Sequence, residues 1–81
     1  MTIVYKLVGF DRDTESLVLS YDVPGKKIRK AKTIAGIAGN PDIIADWPLS
    51  LEQAGAIAQL IGAKVDASKY DWALEPYTPL S

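Results

Sequence analysis

The chain contains no cysteine and no histidine. Without cysteine there is no disulfide framework, thiolate metal site or thiol nucleophile. Without histidine the commonest general base and the commonest metal ligand are both gone. Long apolar runs are missing as well: Lys6 interrupts the N-terminal one, no small-residue cleavage site follows it, and no stretch is long enough to span a bilayer. These features predict a cytoplasmic protein that folds by packing, with neither cofactor nor bound metal.

What is present suits a small packed core. Eighty-one residues, 48% of them hydrophobic, predict one domain over residues 1–81, near the lower size limit for a single core. The net charge of −1 conceals a strong asymmetry. Residues 26–40 carry Lys26, Lys27, Arg29, Lys30 and Lys32 with no acid, a charge of +5. The segments before and after carry −2 and −4. A charge-sensitive partner meets very different surfaces along this chain.

The most legible stretch is WPLSLEQAGAIAQLIG, residues 47–62. Ser50 and Gln53 form a capping box, in which each side chain accepts from the other residue's backbone N–H. Gly62 supplies the left-handed residue that closes the helix. Leu51, Ala54, Ala58 and Ile61 share one stripe, with Ile57 and Leu60 beside it.

Ahead of this helix, IVYKLVGF and LVLSYDV read as two strands joined by the polar turn DRDTES, an antiparallel hairpin. Alternation places Tyr5 and Leu7 on one face of the first strand, with Val4, Lys6, Val8 and Phe10 on the other. In the second strand Leu17, Leu19, Tyr21 and Val23 share a face. Residues 26–38 read as a helix ended by Gly39-Asn40, although Gly36 within the run argues against it and leaves a strand over KKIRKAKTI as the alternative. Ile43-Ile44 reads as a brief strand or extended link. After Gly62, residues 66–70 read as one helical turn capped by Asp66. Residues 72–77 then form a short C-terminal strand that Pro76 and Pro79 confine to an edge. The fold class is α+β: an N-terminal hairpin, two helices on one face of a small sheet, and a C-terminal edge strand.

Four groups of residues could carry chemistry. Asp11, Asp13, Glu15 and Asp22 partly match a calcium loop, but the required glycine is Ser16 and the flanks are strands; a solvated turn explains them better. Asp42, Asp46, Asp66, Asp71 and Glu75 offer carboxylates with no spacing that selects an acid–base pair, which argues against an enzyme. The basic patch Lys26, Lys27, Arg29, Lys30 and Lys32 could bind phosphates, yet no aromatic is interleaved for base stacking, and a solvated helix face is the plainer reading. Finally, Trp47, Tyr70, Trp72 and Tyr77 lie among acids. Trp and Tyr dominate interface hot spots, and neighbouring carboxylates suit a basic partner. The alternative for Trp47 and Trp72 is the core.

The segment PLSLEQAGAIAQLIGAKVDASKYDWALEPY, residues 48–77, resembles small bacterial proteins with a PLT-x-E-Q helix followed by a D-x-x-K-Y-D-[YW]-x-L-E-P-Y segment, preceded by a β-hairpin. These are similar to the immunity proteins of toxin–immunity and contact-dependent inhibition systems. The resemblance implies a non-catalytic inhibitor that binds a cognate toxin domain, often a nuclease. The implied partner-binding residues are Asp66, Tyr70, Asp71, Glu75 and Tyr77. An acidic patch of this kind imitates phosphate at a basic active site; with a net charge of only −1, an exosite or fold-completing mode stays equally open. The second reading is a nucleic-acid-binding or regulatory module using the basic patch. A third is a dimeric domain whose sheet edge pairs across a two-fold axis.

Overall fold

The computed structural model describes residues 4–37 and 47–77. Its elements are β1 (Val4–Asp11), β2 (Leu17–Val23), a 3-10 turn (Gly25–Lys27), α1 (Ile28–Ala35), β3 (Trp47–Leu49), α2 (Leu51–Ile61), a second 3-10 turn (Ala67–Lys69) and β4 (Tyr70–Tyr77). The strands form one antiparallel sheet in the order β2-β1-β4-β3. Both helices lie on one face of it, so the α+β architecture is as expected. The brief strand expected at Ile43-Ile44 lies outside the described residues.

The last strand departs from expectation. β4 is not an edge: it pairs with β1 over its whole length, Val4 opposite Tyr77 through Asp11 opposite Tyr70, and its other side receives β3 from Trp72 to Leu74. Proline weakens a strand only where its missing N–H would have entered the ladder, and Pro76 stands beyond the part of β4 that β3 reaches. The residues that lead into α2, Trp47, Pro48 and Leu49, are themselves that short outer strand.

Directly opposed residues of antiparallel strands project to the same face. The helix-facing side therefore carries Tyr5, Leu7 and Gly9 of β1, with Val23, Tyr21 and Leu19 of β2 and Pro76, Leu74 and Trp72 of β4. Leu7 and Leu74 are fully buried there against Ala31, Ala35, Ile37, Ala54, Ile57 and Ala58. Alanines at these helix positions let the backbones approach the sheet. Gly9 does the same for an aromatic, since a Cβ there would stand 3.1 Å from the Trp72 ring. Trp72 is thus a core residue, its indole N–H bonded to the Ala67 carbonyl at 2.9 Å.

Register corrects one residue of β2. Gly9 opposes Leu19 but Phe10 opposes Leu17, so Val18 is an extra residue, a β-bulge. The bulge turns Leu17 to the face of Phe10, away from the helices, and Leu17 is 54% exposed while Leu19 packs on the core.

Both helices end where a glycine turns left-handed. In α1 that residue is Gly36, at φ 82°, and the Ile37 N–H bonds to the Lys32 carbonyl at 2.9 Å. The glycine that argued against the helix is therefore its terminator, ahead of the expected Gly39-Asn40. In α2 the capping box is complete, with Gln53 N–H to Ser50 Oγ at 3.1 Å and Ser50 N–H to Gln53 Oε1 at 2.9 Å. Gln53 Nε2 also donates to the Ile34 carbonyl, and Lys27 Nζ to that of Leu60, which ties the helices together. The buried stripe of α2 is Ala54, Ile57 and Ala58; Leu51, in the first turn, is exposed.

Candidate protein-binding surface

The face of the sheet turned away from the helices is built from alternate residues of the three long strands. Its cross-strand rows are Tyr77–Val4, then Glu75–Lys6–Asp22, then Pro48–Ala73–Val8–Ser20, then Asp71–Phe10–Leu17. No described helix lies on it. Val8 and Ala73, at its centre, are buried. Around them stand charged and polar side chains, Lys6, Asp22, Glu75, Asp71 and Ser20, together with apolar Val4, Phe10, Leu17 and Pro48.

At one end the Lys6 ammonium sits 4.5 Å from the centre of the Tyr77 ring. The Tyr77 hydroxyl donates to Asp22 Oδ1 at 3.0 Å, across the whole width of β1. Desolvation, followed by the Asp22 carboxylate, pushes the Tyr77 phenol above its ordinary value of 10.0. At the other end Arg12 Nε meets Asp71 Oδ1 at 3.4 Å, and Arg12 Nη2 reaches the Tyr70 carbonyl at 3.4 Å. Both partners of that ion pair are well exposed, so it contributes little to stability.

Of the five residues singled out from the sequence, the structure places three on this face, Glu75 and Tyr77 at one end and Asp71 at the other. The other two are elsewhere. Tyr70 is half-buried on the helix side, edge-on to Trp72 with centroids 5.7 Å apart. Asp66 caps the second 3-10 turn, its Oδ1 accepting from Ser68 Oγ at 2.6 Å and Ser68 N–H at 3.2 Å. Those bonds from Ser68, the hydroxyl first, hold its carboxyl below the usual value. Sequence reasoning missed Lys6, Arg12 and Asp22 as members of the face. The signal was available: three strands with a period of two, once ordered, place Lys6 between Glu75 and Asp22.

The hairpin acids have a structural role. Asp11 Oδ1 accepts from the N–H groups of Asp13 at 2.8 Å and Thr14 at 3.0 Å, closing the turn. Those bonds, Thr14 first, lower the Asp11 pKa. Among the described residues no three carboxylates are grouped to hold a metal ion.

The basic patch lies on the opposite side of the molecule. Lys27 is drawn out of it by its 2.7 Å bond to Leu60, and Lys32 lies 5.8 Å from the Tyr5 ring centre. Lys26, Arg29 and Lys30 are exposed. Arg29 and Lys32, with Gly25 and Ile28, border a hollow of about 350 Å³. Trp47 is 36% exposed at the β3 edge, its indole N–H bonded to the Ala35 carbonyl at 3.0 Å.

A family described as a domain of unknown function, DUF7683, matches residues 4–75. The chain belongs to this family. The match takes in every element above, from β1 to all but the last two residues of β4, so the two-faced sheet is a feature of the DUF7683 region itself. No curated protein and no solved structure matches the chain. Among its described residues no helix is long and apolar enough to cross a membrane.

Proposed function

We propose that this DUF7683 domain is a non-catalytic inhibitor that acts by binding protein, of the toxin-immunity type. The observation that supports this reading is the face of the sheet that no described helix covers, where Glu75, Tyr77 and Asp22 stand at one end and Asp71 at the other, with buried Val8 and Ala73 between them. Strands hold these side chains on a rigid backbone, so little ordering entropy opposes docking. Acids around a tyrosine suit a basic surface, such as that of a nuclease. The domain resides in the cytoplasm in this reading and needs no cofactor.

A pull-down with tagged full-length chain from its host, at moderate and then high salt, tests the reading. The expected result is one stoichiometric protein that survives high salt, is toxic when expressed alone and is neutralised by co-expression. Glu75→Lys combined with Tyr77→Ala then weakens binding about tenfold or more, or ~1.4 kcal/mol. Recovery of nucleic acid alone, released log-linearly by salt, overturns the reading. That outcome promotes the second one, supported by Arg29 and Lys32 beside a hollow and by exposed Lys26 and Lys30 near them in sequence, with no ion pair to neutralise them among the described residues.

A further inference from the structure

The sheet has two outer edges of very different character. β3 spans three residues and holds Pro48, two devices that keep an edge from pairing. β2 spans seven residues, LVLSYDV, with no proline and no cation. No described strand pairs with its outer side. The two most exposed large hydrophobic residues among those described, Leu17 at 54% and Val18 at 47%, stand at its start. The one charged residue on the strand is Asp22, whose carboxylate already accepts from Tyr77 at 3.0 Å, so this edge does not call for a cationic partner.

We infer that β2 is the seam of a symmetric homodimer, in which two copies pair antiparallel about a two-fold axis at Tyr21 and form one continuous eight-stranded sheet. The occupant is a second copy because in this register the strand is its own complement. Leu19 opposes the other copy's Val23 and Tyr21 opposes Tyr21, apolar against apolar on the helix-facing side. Ser20 opposes Asp22, a hydroxyl that can donate to a carboxylate, on the other side. Val18 opposes Pro24 at the margin of the seam, just outside the paired segment.

Other two-fold registers are worse. An axis at Asp22 sets two carboxylates directly opposite each other, which is destabilising. An axis at Ser20 sets Asp22 against Val18. An axis at Leu19 runs the ladder through the Val18 bulge, where pairing is already disrupted. Centring on Tyr21 leaves the regular residues 19–23 as the paired segment. The seam uses the edge of the sheet and does not depend on the inhibitor reading, which uses its face.

Sedimentation equilibrium of the full chain from micromolar to millimolar concentration tests the proposal. The expected result is reversible doubling of mass. Val18→Lys, at an exposed position, keeps the circular dichroism spectrum and raises the dissociation constant at least tenfold. The chain has no cysteine, so single cysteines report the register cleanly. Across the axis directly opposed Cα atoms lie about 4.5–5.5 Å apart, within disulfide reach. Oxidised Tyr21→Cys therefore forms a covalent dimer, and Ser20→Cys, one position off the axis, does not. If Tyr21→Cys fails to fold, the wild-type and Val18→Lys masses decide. A monomer at every concentration, a dimer indifferent to Val18→Lys, or equal cross-linking by Ser20→Cys each overturns the proposal; the first would leave the edge to a strand of a different protein.

Discussion

The two faces of the sheet are cut from the same strands, yet they spend their residues differently. On the helix side Leu7, Leu74, Val23 and Trp72 are buried and their polar atoms are satisfied locally. On the open side the same strands present Lys6, Asp22, Asp71, Glu75 and Tyr77, and only Val8 and Ala73 are buried. A period of two assigns alternate residues to the core and to the opposite face, so each face can change with little effect on the other.

That separation can be broken from the buried side first. Leu74→Ala removes a fully buried side chain at the centre of the core and is expected to cost about 2–5 kcal/mol, measured by denaturant unfolding at unchanged slope. Gly9→Ala is expected to cost about 1–3 kcal/mol by pushing a methyl into the Trp72 ring. The accompanying sign is a change in Trp72 fluorescence or near-ultraviolet dichroism, because the indole must shift.

The smallest effect sharpens the contrast from the open side. The Tyr77 phenol titrates above its ordinary 10.0 in the folded state. A group whose folded pKa is raised supports the fold fully below its unfolded pKa, and that support fades as pH rises through the folded value. Asp22→Asn is therefore expected to lower the Tyr77 pKa, read from phenolate absorbance, and to flatten the alkaline fall in stability. Near neutral pH it should leave stability nearly unchanged, since the hydrogen bond and both side chains are at the surface.

The legible parts were those governed by local chemistry. Ser50, Gln53 and Gly62 cap α2 as read, Asp66 caps its turn, and the hairpin pairs as expected. What failed depended on partners distant in sequence. Pro76 signals an edge only if one ignores that β1 needs a second neighbour. Leu17 looks inward until the bulge at Val18 shifts the period by one. Gly36 is a local exception: it counts against a helix only in the interior, and its left-handed φ of 82° makes it the end. The candidate site divides in the same way. Asp71, Glu75 and Tyr77 share a parity along β4 and stay on one face. Tyr70 has the other parity and turns inward, and Asp66 is taken by its own cap.

The interior position of β4 also governs when this molecule can fold. The strand follows the other described strands in the sequence, yet it supplies the neighbour that both β1 and β3 require, with contacts that span most of the described residues. Until residues 70–77 are in place, β1 has one bare side and β3 has no partner among the described strands. Such long-range pairing closes late and slowly compared with local helix contacts. Until β4 docks, the inner edge of the hairpin is therefore a bare strand edge, and its pairing with β4 closes the sheet and guards against association with other chains.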